Sequence, residues 1–365
     1  MDYDESLFSP HWFKPFCNKS EAQRIFTPKD KKDYFLRKRA SIVADNSRYT
    51  RVYRNKARLM GEKWSFENSF IDSHYKNVLK RLSKEDRIKC KDVLYGDIFS
   101  NDVNGFAAID ENCGRIICLN ESLQFFLKFC HLSLLDFEVE VPEYVRQNAL
   151  RIALRILIQN ETMDFFMDPR GIVPKCVGKK ILYPISSQLQ FIAGHEFAHH
   201  LCGHLKDDNV RVCNILSVNE KTYTAKVYNV SQKQEFDADI ESICRPKYNQ
   251  MEYNSILNGS LLWFIALMLG EKAESIIDPS RSFKIQTHPK AEDRFYNIID
   301  NVQIPKKFRL DKIKRIKDRA DSYLKFIEED ISVNYEIYEV YGSYYLDEPE
   351  TEWRGKALID RVDYY

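Results

Sequence analysis

The sequence predicts an α+β protein, mainly helical, with a small antiparallel sheet and a charged helical N-terminal region. Three observations lead to this. Apolar side chains recur at helical spacing in segments 123–137, 145–159, 185–199 and 254–272. Strand-like alternation is confined to 104–120 and 210–230, each broken by turn-forming residues. Residues 24–58 carry twelve Lys or Arg against three Asp or Glu, interleaved with Tyr34, Phe35, Tyr49 and Tyr53.

The chain has 365 residues, 44% hydrophobic and 13% aromatic, enough for one large core or two smaller ones. Composition divides it into a charged, mostly helical N-terminal region (1–100), a central domain (101–303) and a charged, tyrosine-rich C-terminal extension (304–365). A net charge of +1 argues against a chain-wide electrostatic drive toward nucleic acid or membrane. Nine cysteines without a CxxC pair point to reduced thiols in a cytoplasmic protein, not to a disulfide framework or a structural zinc ribbon. The acidic start, Met1 to Ser6, lacks the apolar segment of a signal peptide. The longest apolar run, 261–269, falls short of the about 20 residues a bilayer requires, so no membrane partner is expected.

Taken in order, the basic stretch 24–58 has two readings. It is a surface facing RNA or the ribosome, or a solvated helical face balanced by acidic segments elsewhere. Direct nucleic-acid binding therefore stays open. Segments 105–110 and 115–119 flank Glu111-Asn112-Cys113-Gly114, a hairpin signal. An aromatic-rich helix at 123–137 is followed by one at 145–159, apolar at Leu150, Ala153, Leu154 and Leu157. Residues 165–183, with Pro169-Arg170-Gly171 and Lys179-Lys180, read as a loop. The next helix, capped by Ser186 or Ser187 after Pro184, carries the apolar stripe Ile185, Leu189, Ile192 and ends near Gly203. A second hairpin, turning near Asn219-Glu220, precedes a helix at 234–242. The apolar run then reads as a buried core helix, 254–272, with a further turn and helix within 281–300. The tail passes from basic at 306–319 to acidic at Glu328-Glu329-Asp330, with Tyr335, Tyr338, Tyr341, Tyr344 and Tyr345. It suits pairing with the basic N-terminal region, partner binding or autoinhibition.

Two of these helices carry the chemistry. His195 and His199, in His195-Glu196-Phe197-Ala198-His199, stand four residues apart and share one helix face, so their imidazoles can grip one metal ion. Glu196 is rotated to the side, where a carboxylate can take a proton from water attacking a carbonyl. Glu235 and Asp239 form a second i, i+4 pair with small Ala238 between them, suited to a helix crossing close to the metal. Glu235 is the candidate third ligand, and Asp239 the acceptor for the outer nitrogen of a zinc histidine. His204 lies five residues past His199, about 140° off the metal face of a continued helix. His200 lies about 100° off. Both read as polar surface histidines.

HExxH followed by ExxAD resembles the gluzincin metallopeptidases. Thr287-His288-Pro289 followed by Arg294 narrows the likeness. Over roughly 105–300 the chain is most similar to the soluble phage-exclusion peptidases of the Lit type. The resemblance implies a gluzincin-like metallopeptidase core whose edge strand, ahead of the metal helix, takes the substrate backbone as an added strand. The 105–119 hairpin is the candidate edge, with an ordinary pair of sheet strands as the alternative. It also implies a catalytic role for His288, stabilising the tetrahedral oxyanion, with helix capping as the alternative. Arg294 would brace that loop or contact substrate. The 210–230 hairpin departs from compact relatives, whose link between the two motifs is shorter, and would gate or shape the cleft.

Together these readings predict a zinc-dependent endopeptidase, with one Zn2+ per chain held by His195, His199 and Glu235 and with Glu196 as general base. The Lit-type resemblance implies a bacterial antiviral defence enzyme that cleaves a translation factor when a phage component triggers it. Two alternatives are a non-catalytic partner-binding scaffold, against which the intact Glu196 stands, and a regulatory peptidase cleaving a bound repressor.

Overall fold

Short polar side chains start most of the N-terminal helices. Asn18 and Glu21 form a capping box on α1 (Lys19–Phe26), Asp30 caps α2 (Lys31–Asp45), and Asn46 caps α3 (Ser47–Met60). Two shorter helices follow, α4 (Ser73–Arg81) and α5 (Lys84–Lys89). The computed structural model describes residues 12–100, 103–165, 170, 173–206, 210–218, 221–228, 230–278 and 288–346. The acidic start, the Asn219-Glu220 turn, Thr287 and the last nineteen residues, 347–365, lie outside them.

The sheet has five strands: β1 (Leu94–Tyr95), β2 (Gly105–Asp110), β3 (Gly114–Leu119), β4 (Val210–Val218) and β5 (Lys221–Tyr228). Their order is β1-β3-β2-β5-β4. It is mixed rather than wholly antiparallel, because β1 pairs parallel with β3 while the other pairings are antiparallel. The expected edge is also displaced. β2 pairs with β3 on one side, and on the other Ala108 and Ile109 pair with Val227 and Lys226 of β5. The inserted hairpin has added itself to that side of β2, so the edges are β1 and β4.

Alternation along β2 and β3 sends side chains into two cores. Ala108, Ile116 and Cys118 meet Phe35, Tyr53, Phe66 and Phe70 of the N-terminal helical layer. Ala107, Ile117 and Leu119 face the larger core. That core is built from α6 (Leu123–Leu134), α7 (Glu143–Leu157), α8 (Lys175–Leu182), α9 (Ile185–Leu201), α10 (Gln232–Cys244) and α11 (Gln250–Ile277). It continues through α12 (Ala291–Asn301), α13 (Leu310–Val333) and α14 (Tyr335–Glu339). Helix α8 replaces the expected loop; it begins after Pro174 and buries Val177 and Ile181. Helix α9 starts at Ile185 directly after Pro184, with neither Ser186 nor Ser187 capping it; Ser187 Oγ instead donates to the Pro184 carbonyl at 3.1 Å. The α9 stripe Ile185, Leu189, Ile192 is buried as expected.

Much of the basic stretch is used internally. Arg24 pairs with Asp33 and Glu67, Lys38 with Asp110, and Arg39 Nε donates to the Asp97 carbonyl. The Arg48 guanidinium lies over the Tyr341 ring, joining the N-terminal layer to the tail. Residues 342–346 are strapped down by Glu161, whose carboxylate accepts the Tyr344 amide at 3.0 Å. Buried Arg155 and Arg170 flank Glu161 at 2.9 and 3.3 Å. No described helix is long and apolar enough to cross a membrane.

Candidate metal centre

Helix α9 is buried along most of its length, from Gln188 through His199, because helices and strands surround it. Its neighbours approach closely where side chains are small. Gly194 lies against Ser242 of α10, and Gly259 of α11 meets the α9 backbone at Ser187 and Gln188. Ala238 of α10 is fully buried. These crossings bring α10 close enough for Glu235 to face both histidines.

The three expected ligands converge. His195 Nε2 and His199 Nε2 are 3.0 Å apart, and the Glu235 carboxylate oxygens lie 3.3 Å from the first and 3.5 Å from the second. Among the described residues this is the group of His, Cys, Asp and Glu that gathers three ligand atoms, all within 4.8 Å of one another. All three residues are buried. Glu235 Oε2 is buried without a hydrogen bond, although it faces His195. The donor set fits zinc: two imidazoles and one carboxylate, with edges close to the roughly 3.3 Å that tetrahedral bonds of about 2.0–2.1 Å produce.

Around the ligands, Asp239 stands behind His195 where the sequence put it, and Arg294 holds Asp239 rather than the His288 turn. His195 Nδ1 lies 2.9 Å from Asp239 Oδ1. Arg294, on α12, clamps Asp239 with two bonds, Nε to Oδ2 at 2.8 Å and Nη2 to Oδ1 at 2.6 Å. Burial disfavours a charged His195, but Asp239 and Glu235 outweigh it and raise its pKa to about 10. Burial and the facing His195 push His199 down to about 4. Glu235 is held far below the ordinary carboxylate range: burial opposes this, and the facing His195, His199 and His288 prevail. Glu196 is buried, and the loss of solvent raises it to about 7.

Neither family models, curated proteins nor solved structures give a match to the chain. The reading of the centre therefore rests on its own geometry.

A small cleft opens beside the ligands, lined by Asn104, Gly105, Phe191, Ile192, Trp263 and His288 together with His195, Glu196, Glu235 and Arg294. His288 sits half-exposed at its rim with Nδ1 3.1 Å from Glu235 Oε1. It does not cap α12, whose Ala291 amide donates to Glu271 Oε1 of α11. Several cleft residues escaped sequence reasoning. Trp263 lies in the apolar run, where its spacing is that of core. Gly105 marks only the start of a strand in sequence, yet a Cβ there would stand 3.2 Å from Glu196 Oε1 and 3.0 Å from Ile192 Cγ2.

The two dismissed histidines differ. His200 bonds the Lys89 carbonyl at 2.9 Å, away from the centre. His204 does not lie off to the side: its Nδ1 is 3.1 Å from His199 Nδ1. The 140° offset assumed a continuing helix, and the helix ends first.

Proposed function

We propose that the protein is a cytoplasmic zinc-dependent endopeptidase acting on a protein substrate. The observation that supports this best is a buried His195–His199–Glu235 cradle with the buried Glu196 carboxylate at the same cleft. His195 Nε2, His199 Nε2 and the Glu235 carboxylate would hold the ion. When bound, zinc supplies Lewis acidity, polarising a substrate carbonyl and making water more acidic.

The chain's own residues supply the rest. Glu196 takes the proton of the attacking water and returns it to the leaving amine. Asp239 accepts the Nδ1 proton of His195, and Arg294 holds Asp239 in place, so the ring cannot turn its lone pair away. Phe191, Ile192 and Trp263 close the cleft floor against solvent. His288, which lines the same cleft, would stabilise the oxyanion of the tetrahedral intermediate. The Lit-type resemblance extends the proposal to defence against phage, with a translation factor as target and a phage component as trigger.

The test is to induce the parent and Glu196→Gln in cells, with and without phage infection, and map new protein N-termini by proteomics, with zinc analysis of both purified proteins. Both should retain zinc, and new termini should arise only with the parent, since a general base contributes about 10²–10⁴-fold. Equal cleavage by both forms would remove Glu196 from the mechanism. A parent that retains no zinc would end the proposal.

A further inference from the structure

Helix α9 ends in a turn that requires a left-handed residue. Gly203 has φ +71, its amide donates to the His200 carbonyl at 3.2 Å, and the His204 amide donates to the His199 carbonyl at 3.0 Å. These two bonds are the Schellman pair, which reverses the chain over the helix end. The reversal carries His204 back onto the metal face. Its ring stands 5.2 Å from that of His199, inclined at 66°, with the two Nδ1 atoms 3.1 Å apart.

We propose that His204 is a positioning residue that sets the tautomer of His199 in the metal centre, an inference that rests on the metal reading above. Of two facing ring nitrogens, one must carry the proton and the other must accept it. His199 Nε2 faces His195 Nε2 and Glu235, so as a ligand it is bare. The proton of His199 is then on Nδ1, and His204 Nδ1 accepts it while its own proton sits on Nε2. The two ligand histidines are thus oriented by partners of different kinds. His195 has a carboxylate clamped by arginine, and His199 has a neutral imidazole delivered by a glycine turn.

The test uses zinc itself. Parent, His204→Ala and His204→Gln are compared by chelator competition for zinc, by thermal melting, and by ¹⁵N NMR of the imidazoles in the zinc-loaded proteins. In the parent, His199 should show a protonated Nδ1 and His204 a protonated Nε2. His204→Ala should lose about 10–100-fold in zinc affinity, the usual effect of removing such a partner. His204→Gln, which restores an acceptor, should recover part of it. A parent that binds zinc with the proton of His204 on Nδ1 overturns the proposal. So does an alanine variant that melts with the parent and binds zinc within twofold of it. If the alanine variant fails to fold, the parent's tautomers and the glutamine variant decide. A parent that takes up no zinc sinks the metal reading itself, and this inference with it.

Discussion

Gly105 shows how one missing methyl group leaves room for the Glu196 carboxylate, the proposed general base. A Cβ at that position would press on Glu196 Oε1 and Ile192 Cγ2. Gly105→Ala should therefore keep its zinc while kcat/KM falls about tenfold, because small displacements of a reacting group are costly. Zinc content and peptide kinetics on the same preparation check this. A second residue-scale prediction concerns His131, buried on α6 with Nδ1 2.7 Å from the Ile181 carbonyl. Burial lowers its pKa to about 4, with the hydrogen bond to the Ile181 carbonyl opposing. The fold thus holds His131 neutral; above its ordinary pKa of about 6.5 this costs nothing, and as pH falls below that value the unfolded chain gains a proton the fold refuses. Stability should drop by about 2 kcal/mol more between pH 8 and pH 5 in the parent than in His131→Gln, measured by urea unfolding. At this scale the sequence disclosed what helical spacing controls: His195, His199, Glu196, Glu235 and Asp239. His204 was hidden because a turn overrode the helical angle, and Gly105 and Trp263 because packing from distant segments brings them to the cleft.

Between elements, α11 crosses α9 with backbone pressed against backbone. A Cβ on Gly259 would lie 2.8 Å from the Ser187 carbonyl carbon and 2.9 Å from the Gln188 amide nitrogen. Backbone cannot step aside as a side chain can. Gly259→Ala should cost about 1–3 kcal/mol in denaturant unfolding and displace the helix that carries both histidines, lowering zinc affinity as well. Most helices were legible from apolar spacing and caps. Helix α8 was not, because Pro174, Gly178 and Lys179-Lys180 imitate a loop while only Val177 and Ile181 face inward. Both hairpins were legible from alternation and turn residues. Their joining through Ala108 and Val227 was not, since strand pairing across more than a hundred residues leaves no local trace.

Across the whole molecule, the buried carboxylate of Glu161 ties the tail to the body. It pairs with Arg155 and, together with Asp164, with Arg170, and it accepts the Tyr344 amide. Glu161→Ala should destabilise the protein by about 3–5 kcal/mol, the usual cost of leaving buried charge uncompensated, and protease digestion should then begin beyond Asn334. An unchanged melting temperature would show that the strap holds without it.

The clamp on His195 comes from far along the chain: Arg294 lies 99 residues beyond it and 55 beyond Asp239. During synthesis both histidines and Glu235 leave the exit tunnel well before the guanidinium that steadies them. A nascent or prematurely terminated chain ending near residue 280 thus holds the three candidate metal ligands without the guanidinium that fixes Asp239 behind His195.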